Sequence, residues 1–358
     1  MVVLNVMIND ACNLQCSYCF LNSQPVASSQ CQDGPGRLAL LDFDTILRSM
    51  ESEFVESVHL FGAEPFLHPE IEAIVDVARG RNIPVNIATN GTLLEPHLRW
   101  LHKTNTSLSV NLLGDDPRLV ELLDTTFPLD STLENVKALV ENEIDTNGII
   151  CPFPVERNAS ENAKFYASYI QRVHDATGVK DFFILYFSKL GRGRDIYSRI
   201  NGAFFRPDNW LLFLRILKHE IKDLDIDVNV FCEPAFESKQ FPILPPAYLQ
   251  CEMIMKDNLV VKHDMSVYPC ILMLGIGESQ YKLQYSGDYT AIRNAYESLQ
   301  LRNVLDRAPE CRKCKDLNYC SPCIPYIEHG IDYRCSGKRD TESANSVMGC
   351  PLATARLF

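Results

Sequence analysis

Near the start of the chain, the stretch DACNLQCSYCF (residues 10–20) places Cys12, Cys16 and Cys19 at spacings of four and three. Three thiols so spaced cannot all close as one disulfide, but they can converge on one object. Thiolates suit iron–sulfur clusters and zinc. A four-iron cubane held by three cysteines keeps one iron with an open position, where chemistry can happen. Zinc in a closed structural site wants a fourth ligand, and the nearby Asp10 and Asn13 are poor candidates. Small buried residues or a zinc knuckle are the plainer alternatives for this stretch.

A second group of thiols lies downstream. Eight of the fourteen cysteines fall between residues 251 and 350. The run CRKCKDLNYCSPC (311–323) has the spacing C-x2-C-x5-C-x2-C, with Cys311, Cys314, Cys320 and Cys323. Cys251 and Cys270 end a stretch that reads as a hairpin, and Cys335 and Cys350 follow. Eight thiols suffice for two fully ligated four-iron clusters. Residues 311–323 alone favour a zinc ribbon. Cys31, Cys151 and Cys232 stand apart, and buried apolar packing is the commonest fate of such a cysteine.

Bulk properties narrow the class. A chain of 358 residues with 46% apolar and 22% charged content is ordinary for a globular protein, and its length suggests two domains. Net charge is −12, which argues against nucleic acid as the main partner. No apolar run reaches the roughly 18 residues that span a membrane. The opening MVVLNVMIND lacks the basic start and cleavage site of a signal peptide. A cytoplasmic, reducing location is therefore expected, where dense cysteines are ligands rather than disulfides.

These candidate ligands need a frame. Over residues 1–190 the patterns of strand and helix alternate about six times, from VVLNVMI (2–8) to DFFILYFSKLG (181–191). Such alternation predicts parallel strands with helices outside, as a barrel or a doubly wound sheet. No GxGxxG follows the first strand, so the dinucleotide fingerprint is missing. Expected helices include 42–54, capped by Asp42 or Asp44; 69–81, opened by Pro69; 129–143, capped by Asp130 or Ser131; and 208–223. In a barrel, working groups sit on loops at the carboxyl ends of strands. The cysteine loop lies at such an end, as do GAEP (62–65), ATNG (88–91), NLLGD (111–115) and SKLGRGRD (188–195). A domain boundary is expected near 225–245, giving units 1–225 and 226–358.

With these residues in hand, the chain resembles the radical S-adenosylmethionine (SAM) enzymes. CNLQCSYCF is similar to their C-x3-C-x-aromatic-C loop, and GAEP to their GGEP loop, with Ala63 replacing the second glycine. The resemblance implies a partial (β/α)6 TIM-like barrel. It implies that Cys12, Cys16 and Cys19 hold a 4Fe–4S cluster whose open iron takes SAM. Gly62, Ala63, Glu64 and Pro65 would serve the methionine amino group, with Glu64 stabilising that loop. Tyr18 would flank the adenine and Phe20 follows it on the cofactor side. Asn86 and Asn111 would be polar contacts where the family often carries serine, and Leu190, in KLGRG, would lend backbone to the adenine. The implied reaction is reductive cleavage of SAM to a 5′-deoxyadenosyl radical that abstracts hydrogen from an unactivated carbon.

The downstream cysteines resemble the SPASM domain of peptide-modifying members, an α+β cysteine-rich unit holding one or two auxiliary 4Fe–4S clusters. HDMSVYPC (263–270) is similar to its D-G-x-V-Y-P-C turn, with Met265 in the glycine slot. The spacing Cys320 to Cys323 is C-x2-C where the family has C-x3-C, and no cysteine lies within ten residues before Cys251. The expected partition gives Cys251, Cys270 and Cys323 to the inner cluster and Cys311, Cys314 and Cys320 to the outer, with Cys335 and Cys350 completing the sets.

The resemblance therefore implies a peptide maturase of oxidoreductase type. Its substrate would be a ribosomally made precursor peptide, which gains a crosslink or an oxidative modification. Expected partners are that peptide, bound through a separate leader-recognition protein or by its leader directly, and an electron donor such as flavodoxin or ferredoxin. The alternatives are a sulfatase-type maturase, a small-molecule radical SAM dehydrogenase, and a zinc scaffold without radical chemistry. Read singly, Glu64 is an ordinary surface carboxylate, Asn90-Gly91 a turn, and His59 and His68 packing residues.

Overall fold

Alternating apolar runs fold into a single sheet flanked by helices. The computed structural model describes residues 2–298, apart from 22–23, 26–35, 52, 198, 201, 206, 232–257, 277–278 and 280. In chain order its principal elements are β1 (Val2–Met7), α1 (Leu40–Ser49), β2 (Val55–Phe61), α2 (Ile71–Arg79), β3 (Val85–Thr89), α3 (Leu98–Thr104), β4 (Ser107–Asn111), α4 (Pro117–Leu123), α5 (Leu129–Glu141), β5 (Thr146–Ile150), α6 (Ala159–Thr177), β6 (Asp181–Leu185), α7 (Gly193–Tyr197), α8 (Pro207–Glu220), β7 (Asp227–Phe231), β8 (Asn258–Lys262), β9 (Ser266–Tyr268), β10 (Leu283–Gln284) and α9 (Tyr289–Ser298).

The sheet order is β10-β9-β8-β1-β2-β3-β4-β5-β6-β7. The six strands expected over residues 1–190 lie side by side in sequence order, all parallel. The sheet then exceeds that expectation at both edges. β7 adds beside β6, and β8 returns to pair in parallel with β1. β9 and β10 follow as antiparallel strands. The sheet thus continues across residue 225, while most of 226–358 lies outside the described residues.

Period-two alternation sorts the strands' two faces. Leu4, Val6, Val58, Leu60, Ile87, Leu108, Val110, Phe182 and Ile184 are fully buried in the main core with the helices. The intervening residues are largely polar: Asn5 pairs in register with His59, His59 with Asn86, and Asn86 with Ser107. At the carboxyl ends of β1 and β2 this polar face gives way to a second apolar cluster of Met7, Phe61, Val260, Tyr268, Met273 and Tyr281.

Helix starts differ from the sequence expectation in a consistent way. Ala39, not an aspartate, caps α1, and Asp42 lies in its first turn. Asp44 instead pairs with Arg48 at 2.7 Å and Arg81 at 2.5 Å. Pro69 stands just before the Glu70 cap of α2. Pro128 caps α5, with Asp130 in its first turn. Acidic residues in a first turn favour the helix dipole as much as a cap would, so their spacing alone does not fix the boundary.

Trp210 on α8 is fully buried among Tyr186, Phe204 and Phe213. Its indole Nε1 has no hydrogen-bond partner among the described residues. Trp210→Ala should therefore cost about 3–5 kcal/mol, whereas Trp210→Phe loses less because no hydrogen bond is broken. Denaturant midpoints of the two variants check this ranking.

Candidate functional site

The loops leaving β1, β2, β3 and β6 meet at one end of the sheet, and a buried carboxylate joins three of them. Glu64 is completely buried. Its Oε1 accepts from the Phe66 backbone N–H at 3.1 Å and from the Thr89 hydroxyl at 2.7 Å. Its Oε2 accepts from the Asn90 backbone N–H at 2.8 Å. The Glu64 backbone is held as well, since its N–H donates to Ala11 O at 2.9 Å and its carbonyl accepts from Asn9 Nδ2 at 2.9 Å. Burial pushes the Glu64 carboxyl up to about 7 against the hydrogen bonds that favour its charge.

The lock extends into the cysteine loop. Asn90 Nδ2 donates to Asn13 Oδ1 at 2.8 Å and lies 3.9 Å from Cys12 Sγ. Asn13 Nδ2 donates to Thr92 Oγ1 at 2.8 Å, and the Thr92 hydroxyl donates to Asn90 Oδ1 at 2.6 Å, closing a ring. Gly91 makes this turn possible. Its φ is +77°, and a Cβ there would lie 2.7 Å from Val110 Cγ1.

The cysteines themselves face a common environment. The Leu14 N–H donates to Cys12 Sγ at 3.3 Å, a contact suited to a thiolate ligand. Burial pushes Cys12 up to about 12, with the Glu64, Cys16 and Cys19 charges adding to it. Burial pushes Cys16 up to about 11, with Cys19 adding. Clustered thiols that repel one another are a donor set that needs a cation to ionise. Among the described residues, no three His, Cys, Asp or Glu side chains gather around one metal-ion position. An iron–sulfur cubane fits this loop better than a lone ion, because its cysteines bind separate corner irons. One buried acceptor beside the loop, Asn9 Oδ1, has no partner among the described residues. It would lie 2.7 Å from a Cβ on Gly62, which suits a bound ammonium group at Gly62–Ala63.

The other expected residues divide. Tyr18 and Asn111 come together, with Asn111 Nδ2 donating to the Tyr18 hydroxyl at 3.0 Å, and the Tyr18 ring meets Phe153 edge-on. Burial holds the Tyr18 phenol well above its ordinary value. Pro65 opens a short 3-10 turn behind Glu64. Leu190 is fully buried and packs with Phe20, Leu272 and Ile276. Asn86 is not brought to this end. It sits three residues before the end of β3, and Ser107 and Ser109 occupy its amide at 3.0 and 3.1 Å. His68 is a packing residue whose Nε2 lies 3.0 Å from Leu38 O, and His59 meets Ser57 Oγ at 3.1 Å. Cys151 packs against the main core.

Of the downstream ligand candidates, only Cys270 is described. It caps the 3-10 turn Ile271–Gly275 and packs on the second apolar cluster. Cys251, Cys311, Cys314, Cys320, Cys323, Cys335 and Cys350, like Cys31 and Cys232, lie outside the described residues. Met265 has φ +62°, the left-handed conformation that explains a glycine in this slot elsewhere. Sequence reasoning missed Asn9, Asn13, Thr89 and Thr92. The Asn90-Gly91 dipeptide signalled the turn but not the side-chain ring.

A parallel sheet with a three-thiol loop and a buried glutamate at its carboxyl end defines a class. Residues 6–163 match the Radical SAM superfamily. It is similar to the antilisterial bacteriocin subtilosin biosynthesis protein AlbA of Bacillus subtilis, 27% identical over 196 residues, covering 54% of this chain and 41% of AlbA. It is also similar to the GTP 3′,8-cyclase of Chlorobaculum tepidum, 29% identical over 97 residues, covering 26% of this chain and 27% of the cyclase. The chain thus spans less than half of either relative. The fold is shared with Streptococcus suis SuiB bound to its precursor peptide SuiA. That match has a TM-score of 0.67 and 15% identity, covering 91% of this chain and 73% of SuiB. Among the described residues, no helix is long and apolar enough to cross a membrane.

The Glu64 lock predicts a pH signature. Its folded value, about 7, lies above the ordinary 4.5. The stability it contributes is full below about 4.5 and is lost as pH rises through about 7. Relative to wild type, Glu64→Gln should flatten stability between these limits by on the order of 3 kcal/mol, read from chemical denaturation of the metal-free protein across that range.

Proposed function

We propose that this chain is a radical SAM peptide maturase of oxidoreductase type, acting on a ribosomally made precursor peptide to install a crosslink or an oxidative modification. The observation that carries the reading is the Glu64 lock, which fixes the GAEP loop against the three-cysteine loop. Similarity to AlbA and the fold shared with peptide-bound SuiB support a peptide substrate.

Cys12, Cys16 and Cys19 would hold a 4Fe–4S cluster, with the Leu14 N–H and Asn90 amide turned toward Cys12. When bound, the reduced cluster and SAM supply a 5′-deoxyadenosyl radical for hydrogen abstraction. Gly62 and Ala63 offer backbone, and Asn9 Oδ1 an acceptor, to the amino group of SAM. Tyr18 and Asn111 form one polar wall of the site, while Phe153, Met7 and Phe61 exclude water. Within an expected 226–358 unit of SPASM type, Cys270 and the seven cysteines beyond the described residues would bind one or two auxiliary clusters, one of which accepts the electron left on the substrate. A flavodoxin or ferredoxin would supply the priming electron, and a leader-recognition protein would present the peptide.

A second reading is specifically favoured by similarity to the GTP 3′,8-cyclase: a small-molecule substrate at the same site. Sulfatase-type maturation is the nearer variant of the peptide reading.

Anaerobic reconstitution followed by dithionite, SAM and peptides encoded beside this chain's gene tests the proposal. Deoxyadenosine should form and carry peptide-derived deuterium when the peptide is labelled. Iron should reach about twelve per chain with both auxiliary clusters, or about eight with one. Cys12→Ala, Cys16→Ala or Cys19→Ala should abolish deoxyadenosine formation. Cleavage stimulated by nucleotides and never by peptides would favour the second reading, and zinc with no cleavage would reject both.

A further inference from the structure

The Phe20 carbonyl, one residue past the third loop cysteine, is gripped from two sides by glycines that belong to different parts of the chain. Gly191 lies in the turn after β6, with φ +53°. A Cβ there would stand 2.4 Å from Phe20 O and 2.8 Å from Cys19 O. Gly275 ends the 3-10 turn that follows Cys270. A Cβ there would also stand 2.4 Å from Phe20 O. The two jaws are tied together, because the Gly191 N–H donates to Gly275 O at 3.2 Å. The adjacent Arg192 N–H donates to Cys19 O at 3.0 Å. Behind the grip, Leu190, Phe20, Leu272 and Ile276 form a small apolar cluster of their own.

Backbone must move to admit any side chain at either position, since the atom in the way is a peptide oxygen of the loop and not a flexible side-chain end. At Gly191 the positive φ also favours glycine. At Gly275 the backbone conformation is open to any residue, so close approach alone demands glycine there.

We propose that Gly191 and Gly275 are positioning residues, a two-jawed clamp on the Phe20–Leu21 peptide, next to Cys19, that fixes where the third thiolate meets its cluster. The proposal rests on the reading of Cys12, Cys16 and Cys19 as cluster ligands. It has a consequence for how the chain is built. One jaw is five residues from Cys270, the described candidate for an auxiliary-cluster ligand. The segment that carries that ligand therefore also shapes the first cluster's loop.

Gly275→Ala isolates the effect. Relieving a 2.4 Å approach to an ordinary contact of at least 3.4 Å shifts the loop or the turn by about 1 Å, and a shift of that size in a preorganised site costs up to about 10²-fold. Gly287→Ala serves as the control. Gly287 has φ +85° and, among the described residues, nothing within 4 Å of its Cβ position, so the substitution strains the backbone without touching the loop.

The full-length, reconstituted and dithionite-reduced protein is titrated with SAM and followed by electron paramagnetic resonance. In the wild type the signal of the SAM-binding cluster should change saturably with SAM. Gly275→Ala, at equal iron content, should need at least about tenfold more SAM for that change or lose it. Gly287→Ala should lose thermal stability yet respond as wild type. If Gly275→Ala does not fold, Gly191→Asn takes its place, because asparagine tolerates the positive φ and only the bulk is tested. A folded clamp variant responding at the wild-type SAM concentration overturns the clamp. No SAM-dependent signal in the wild type overturns the cluster reading itself.

Discussion

One buried carboxylate decides whether the mouth of this sheet is a site or a set of loose loops. Glu64 reaches from the loop after β2 to the end of β3, and its backbone holds the loop after β1. Loops after parallel strands share no hydrogen-bond ladder, so some other interaction must set their relative positions. Burying a carboxylate is costly unless it is well bonded. Here three donors meet it, two of them on β3 and the residue that follows it. Hydrogen bonds to a charged group contribute about 1.5–3 kcal/mol each. Even with all three in place burial stays ahead, holding the carboxyl at about 7, and the loss of any one widens that gap, which is why it behaves as a lock.

The sheet supplies the stage for that lock. Parallel strands bring every carboxyl end to one edge, and the helices cover the opposite face with the main core. The inner face carries asparagine, serine and histidine over its middle, then turns apolar beside the cysteine loop through Met7, Phe61, Tyr268 and Met273. Cys12 is buried there, Cys16 and Cys19 are half-buried, and the floor of the sheet stays polar.

Much of this was legible in the residues. The cysteine spacing, GAEP and the strand–helix rhythm are local signals, and the strands they forecast are where the pattern puts them. Asn90 shows the limit. Its dipeptide with Gly91 announces a turn, but the ring with Asn13 and Thr92 joins residues 79 apart at one contact and two apart at another. No local window contains both. Asn86 errs the other way. Its place in a family-like segment suggested a cofactor contact, yet strand position puts it below the mouth, where two serines of β4 take its amide. The edge strand β7 escaped for a similar reason, and although 251–270 reads as a hairpin, the parallel pairing of its β8 with β1 depends on tertiary contact and not on a longer alternation. The glycine clamp leaves almost no trace, because the residue it accommodates is a peptide oxygen.

The same electrostatics that build the site set its resting charge. Burial alone drives Cys12, Cys16 and Glu64 toward their neutral forms, and the Glu64 charge is among those that raise Cys12. Glu64 and Cys12 therefore compete for the right to be anionic. In a chain already at −12, nothing in the described loop offers the full set of countercharges. A cationic guest changes that balance at each position. Metal drives the thiols to thiolates, and an ammonium near Gly62–Ala63 favours the carboxylate that Phe66, Thr89 and Asn90 are already arranged to receive. The hydrogen bonds around Glu64 are thus built for a charge that burial opposes and that a guest restores. The lock and the site it forms reach their tightest geometry together.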